Sequence, residues 1–190
     1  MSHDKAEVLA RLDAVHHEIK QSLQLDLLPF LTAEQVHGNE IAVVDQPVEA
    51  GECFSGCDGV ITNQRAVCLG IYVADCCAIY IVDPKLHAIG LVHSGRKGTE
   101  LEIVSRAIEL MTKRFGSAAV DLIVQLSPCI RPPHYEIDFA AEIIRQCQSS
   151  GVRHIHDSGV CTACHLDLYY SYRAEKARTG RMLALLALRL

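Results

Sequence analysis

Between Phe30 and His93 the chain is crowded with short extended runs: "FLTAEQVH", "EIAVVD", "DGVIT", "AVCLGIYVA", "AIYIVD" and "LHAIGLVH". Each is apolar or β-branched, and turn-formers such as "DQP", "TNQ" and "DPK" separate most of them. Strand candidates that follow one another without intervening helices do not fit a strictly alternating βαβ chain and point to an α+β fold. Helices flank the block. Residues 4–25 read as an amphipathic helix, with Val8, Leu9, Leu12, Val15, Ile19 and Leu23 on one face. "GTELEIVSRAIELMTKRFG" reads as one continuous helix, with Thr99 as cap, Glu102 three residues on and Gly116 as stop. "VDLIVQL" is a strand, "SPCIRPPHYEI" an irregular turn and "DFAAEIIRQCQSSG" a helix ended by Gly151. The closing "GRMLALLALRL" leaves helix and buried strand both open. No repeat or linker divides the chain, so a single domain over residues 1–190 is expected.

Apolar residues make up 49% and charged residues 22%, the balance of a globular chain. A net charge of -5, with no lysine- or arginine-rich run, argues against nucleic acid as a partner. The start, "MSHDKAEVLARLD", is charged, and nowhere do enough apolar residues run together to span a bilayer. The expectation is a cytoplasmic protein without a membrane partner. Its nine cysteines are then mostly reduced, and an odd count argues against a closed disulfide framework. That leaves packing, metal ligation or nucleophilic chemistry for them.

Three of the extended runs end in reactive residues. His37 precedes Gly38, the run "CLGIYVADCC" closes on Asp75, Cys76 and Cys77, and His93 stands just ahead of Gly95. Strand ends are favourable positions for functional groups, because the strand fixes the backbone while the loop leaves room for a ligand. Two imidazoles and a thiolate suit zinc with a fourth position open. Buried cysteine and histidine also occur without any such role, and these three lack a spacing signature of the HExxH kind. "CTACH", residues 161–165, has the spacing of haem attachment, but covalent haem belongs to exported chains and needs an axial ligand and an apolar pocket.

In order, "QVHG", "DGVIT", "VADC", "LVHSGRKG", "SPCI", "HYEI", "CT", "YYSYR" and "TGRM" closely resemble the laccase-domain, YfiH-type family from about Ala6 onward. Members of that family were first called multicopper polyphenol oxidases. They are now regarded as purine nucleoside phosphorylases, and several also deaminate adenosine or cleave methylthioadenosine. The resemblance implies a layered α/β/β/α fold with mixed sheets flanked by helices, and makes the final apolar run a strand. It places the family's zinc ligands on His37, Cys76 and His93. "CT" falls on Cys161 and Thr162, which makes the haem-like spacing incidental and Cys161 a pocket-wall or packing residue. A structural zinc on Cys53, Cys57, Cys161 and Cys164 is a poor fit, since its pairs are so far apart in the chain.

The sequence departs from the family pattern in three places. The family's first strands, with their "STR" and "SLNLG" motifs, have no counterpart here, so part of the usual pocket wall is expected to be missing; a second copy of the chain would be one way to complete it. "HAGWRG" reads "HSGRKG", with Arg96 for tryptophan and Lys97 for arginine, which keeps a charge but loses the bidentate fork. Ser127 and Pro128 replace "GP". The resulting expectation is a zinc enzyme, with copper as the alternative ion, acting on adenosine, inosine or methylthioadenosine by phosphorolysis or deamination. In it Cys76 and Asp75 are catalytic, Lys97 and Arg173 bind nucleoside and phosphate, and the assembly is a monomer or homodimer. A metal-free Cys–His hydrolase and a catalytically weakened zinc-binding relative are the alternatives. Asp75 is equally open to capping loop amides, Glu136 and Asp138 to capping the following helix, and Arg181 to pairing with a buried carboxylate. His16, His17, His154 and His156 fit solvent-facing positions, and so few paired histidines do not suit multicopper oxidation.

Overall fold

The computed structural model describes residues 5–188. Helix α1, Lys5–Ser22, leads into strands β1 (Phe30–Ala33), β2 (Ile41–Val44), β3 (Glu52–Phe54), β4 (Gly59–Thr62), β5 (Val67–Val73), β6 (Cys77–Asp83) and β7 (Ala88–Ser94). Then come α2 (Arg96–Glu100), α3 (Ile103–Phe115), β8 (Ile123–Leu126), α4 (Phe139–Ser149), β9 (His154–Asp157) and β10 (Met182–Leu188). One sheet has the order β10-β5-β1-β3, the other β2-β4-β7-β6-β8-β9. Both mix parallel and antiparallel pairs.

Burial explains the layering. Every residue of β7 is buried, as is every residue of β4, because both faces of the six-stranded sheet are covered. On one side Ile103, Val104, Ala107 and Met111 of α3 and Phe139 and Ile143 of α4 meet Ile61, Ile79, Ile81 and Val124. On the other, Val60, Ala78, Ile89 and Leu91 meet Leu31, Leu69 and Ile71 of the four-stranded sheet. Helix α1 lies against that second sheet, with His16 stacked on Tyr72 at 5.3 Å and Lys20 over Phe30 at 4.3 Å. The expected α/β/β/α order is therefore present, and among the described residues no helix is long and apolar enough to cross a membrane.

Four local expectations need correction. The inward stripe of α1 runs through Val8, Leu9, Leu12 and His16, while Val15, Ile19 and Leu23 are exposed. His16 is thus buried rather than solvent-facing, because its ring covers Tyr72 and hydrogen-bonds the Arg181 backbone. The long helix after β7 is broken: Glu102 takes a left-handed φ of 55°, so α2 and α3 are separate, and Thr99 sits inside α2 with its hydroxyl on the Gly95 carbonyl. The first extended run stops at Ala33, and residues 34–37 are loop. His154 and His156 lie on an edge strand, β9, where they are nonetheless exposed. The ambiguous final run is β10, paired antiparallel with β5 from Met182 to Leu188, so sheet burial overrides its helix propensity.

Candidate metal centre

Where β1 ends, Gln35 and His37 both adopt left-handed φ values of 62° and 61°, which swing the chain out of the sheet. Such a backbone is costly for residues other than glycine and needs compensation. Gln35 supplies part of it, its carboxamide pairing with both the N–H and the carbonyl of Tyr72. Asp58 supplies the rest. Its fully buried carboxylate accepts from the N–H groups of Val36, His37 and Gly38 at 3.1, 2.8 and 2.7 Å. The same carboxylate accepts from His93 Nδ1 at 2.8 Å. One side chain therefore fixes the His37 loop and the His93 ring together.

With Nδ1 engaged, His93 turns Nε2 away from Asp58, as a carboxylate-oriented ligand does. The rings of His37 and His93 stand edge to face at 4.8 Å. Cys76, at the turn between β5 and β6, completes the group: the ligand atoms of His37, Cys76 and His93 lie within 4.8 Å of one another. Gly95 makes room for the thiol, since a Cβ there would sit 2.5 Å from Cys76 Sγ. Burial alone would push the Cys76 thiol up, but hydrogen bonds and charge from His37 and His93 outweigh it and bring it down to about 6. Burial would likewise lower His93, yet Asp58 and Cys76 hold it up to about 9. Asp58 itself stays below the usual carboxylate range, because His93 and the backbone N–H groups outweigh its desolvation. Two imidazoles and a ready thiolate form a donor set that fits zinc.

The three groups line a cavity of about 880 Å³. Its remaining wall combines cations (Arg96, Lys97, Arg173, Arg181) with the aromatic rings of Tyr72, Tyr135 and Tyr172. Among the described residues Lys97 has no acidic partner within ion-pair distance. The Arg173 guanidinium lies over Tyr135 at 4.9 Å and donates to Glu136 at 2.9 Å. Asp75 borders the cavity, but both carboxylate oxygens are engaged, by Thr162 Oγ1 at 2.8 Å and the Arg173 N–H at 2.7 Å. It ties two late segments of the chain to the Cys76 turn.

Of the other side chains, Asp138 does what was expected of it, while Glu136 and Arg181 differ. Asp138 caps α4 through the Ala141 N–H, whereas Glu136 is drawn into ion pairs with Arg173 and Arg96 instead of capping. Arg181 lies over Tyr172 and donates to the Gly180 carbonyl, not to a buried carboxylate. Asp58, Gln35 and Gly95 escaped sequence reasoning. The only trace of Asp58 was its place in "DGVIT", and its partners lie 20 to 35 residues away.

Residues 2–143 and 137–189 match the profile of the family described as multi-copper polyphenol oxidoreductase laccase. The chain belongs to that family. Within this laccase family, the purine nucleoside phosphorylase YlmD of Geobacillus stearothermophilus is 28% identical over 219 residues, covering 94% of this chain and 80% of the relative. The crystal structure of that YlmD superposes with a TM-score of 0.85 over 92% of this chain and 78% of its own. The Bacillus licheniformis protein YfiH gives a TM-score of 0.84 at 22% identity over 90% and 79% of the two chains, a likeness of fold.

Proposed function

We propose that this chain is a zinc-dependent enzyme of purine nucleosides, with His37, Cys76 and His93 as ligands and phosphorolysis as its principal reaction. The observation that carries the reading is the convergence of those three donors, from three separate loops and strand ends, in the wall of a cavity that cations and aromatic rings also line. The name of the YlmD relative supports the same substrate class. A zinc ion held there supplies Lewis acidity toward a substrate or water oxygen.

The chain's own residues do the rest. Asp58 keeps His93 in one tautomer, with Nε2 directed at the site. Tyr72, Tyr135 and Tyr172 line the cavity and supply apolar ring surface for a purine. Lys97 and Arg173 provide positive charge for phosphate, Lys97 as a point charge and Arg173 as a fork that first has to leave Glu136. Asp75 is a positioning group, since it holds the Arg173 segment through that residue's own N–H. Deamination of adenosine, in which water attacks the purine C6 carbon and ammonia leaves, is the second outcome of the same site.

Purified protein is to be incubated with adenosine, inosine and methylthioadenosine, with and without inorganic phosphate. Base release that requires phosphate and disappears in Lys97→Ala supports phosphorolysis. Conversion of adenosine to inosine without phosphate supports deamination, and no turnover by metal-loaded protein would sink both. The lowered Cys76 thiol favours one competing reading, a metal-free Cys–His hydrolase. Undiminished hydrolysis after chelation, abolished by alkylating Cys76, would establish that reading instead.

A further inference from the structure

The "CTACH" stretch is not absorbed by the site above, and it carries a second cluster. Cys161 and Cys164 flank a single helical turn, with the Cys164 N–H on the Cys161 carbonyl at 3.2 Å, so their thiols share one side. His134, from the 131–138 loop, comes to meet them. Its Nδ1 lies 3.4 Å from Cys164 Sγ and 3.8 Å from Cys161 Sγ. The ligand atoms of His134, Cys161 and Cys164 all fall within 4.8 Å of one another, and both cysteines are free thiols. The histidine that completes the group is therefore not the His165 of the motif but His134, 30 residues upstream of Cys164. Cys53 and Cys57 take no part in it.

We propose that His134, Cys161 and Cys164 form a second zinc site, separate from the one at His37, Cys76 and His93. Two thiolates and an imidazole are a soft donor set that zinc accepts in tetrahedral geometry. The thiolates balance a divalent charge, and the exposure of His134 and Cys164 leaves the fourth position to solvent. Calcium and magnesium, which require oxygen ligands, are excluded by the donors.

The position of the cluster gives it a structural task. The backbone of Cys161 pairs in parallel with that of Cys129, and its neighbour Thr162 holds Asp75 beside Cys76. His134 precedes Tyr135, which lines the main cavity, and Glu136, which pairs with Arg173. An ion at this point fastens the 161–164 turn to the 131–138 loop, and so clamps two segments of the cavity wall.

The test is equilibrium dialysis of the full chain against zinc alone, with bound metal measured by mass spectrometry. Wild type is expected to bind about two ions per chain, and Cys164→Ser and His134→Ala about one each. His37→Ala is also expected to bind about one, so a failure of the first site and a failure of this one give different patterns. Both altered residues of the second site are exposed, and an unchanged circular dichroism spectrum confirms that the fold survives. Cobalt substitution supplies a second reading: Cys164→Ser should remove part of the thiolate-to-cobalt absorption while the contribution of Cys76 remains. Zinc binding that Cys164→Ser and His134→Ala leave unchanged would overturn the proposal. So would a native mass about 2 Da low that maps to a Cys161–Cys164 disulfide.

Discussion

Four N–H groups converge on the Asp58 carboxylate, three from the His37 loop and one from the His93 ring. An amide cannot accept all four, and its NH₂ would face donors. Asp58→Asn is therefore expected to weaken zinc binding about 10- to 100-fold, measured by competition with a chromophoric chelator. Unaltered affinity would contradict the orienting role. Gly95 allows a sharper test, because its φ of -102° suits any residue while a methyl would meet Cys76 Sγ at 2.5 Å. Gly95→Ala should keep the fold and lose about tenfold or more in metal affinity. In chelated protein the thiolate of Cys76 is the reactive form, so its alkylation rate rises with pH through the folded value and levels above it. The expected midpoint is near 6, against 9.0 for an ordinary thiol. Cys68, pushed by burial to about 11, and Cys147, pushed to about 12, should stay unmodified at neutral pH by peptide mapping.

At the scale of elements, the break between α2 and α3 decides where the cationic wall stands. Residues 96–100 form their own short helix, so Arg96 and Lys97 border the cavity while α3 turns back to cover the sheet. The turn depends on Glu102 at a positive φ, a conformation that costs a side chain roughly 1–2 kcal/mol and glycine nothing sterically. Glu102→Gly should therefore exceed Glu102→Ala in stability by about 1 kcal/mol in denaturant titrations. Equal stabilities would mean the left-handed residue is not strained. Periodicity could not reveal this break, because "GTELEIVSRAIELMTKRFG" keeps helical spacing across it, and the kink comes from tertiary packing. Gln146 from α4 bonds the Thr99 carbonyl, and Asn39 bonds that of Leu101. β9 was missed for the opposite reason: "HIHD" has little apolar character and is recruited as an edge by pairing with β8.

For the whole molecule, short apolar runs and turn-formers make the strand block and its helical cover legible, strand ends single out His37, Cys76 and His93, and the resemblance makes them a ligand set. What stayed hidden were the supports joining distant segments: Asp58 under two histidines, Asp75 between Thr162 and Arg173, and His134 beside the Cys161 turn. Each is a contact between residues far apart in the chain, and no local pattern encodes it. These links build the cavity, because its walls come from loops of both sheets and from the segment ahead of β10. Asp75→Asn should disturb the Arg173 side and leave the proposed ligands His37, Cys76 and His93 in place. Its expected signature is a raised KM for nucleoside with metal content unchanged, and loss of metal would contradict that division of tasks.

On the proposed reading His37, Cys76 and His93 hold one ion between them. Anomalous diffraction across the zinc absorption edge, from crystals of protein purified without chelator, tests it most directly. A peak is expected within about 2.0–2.3 Å of an imidazole nitrogen of His37, Cys76 Sγ and His93 Nε2. A map without density between those atoms, in protein shown to carry zinc elsewhere, would contradict it.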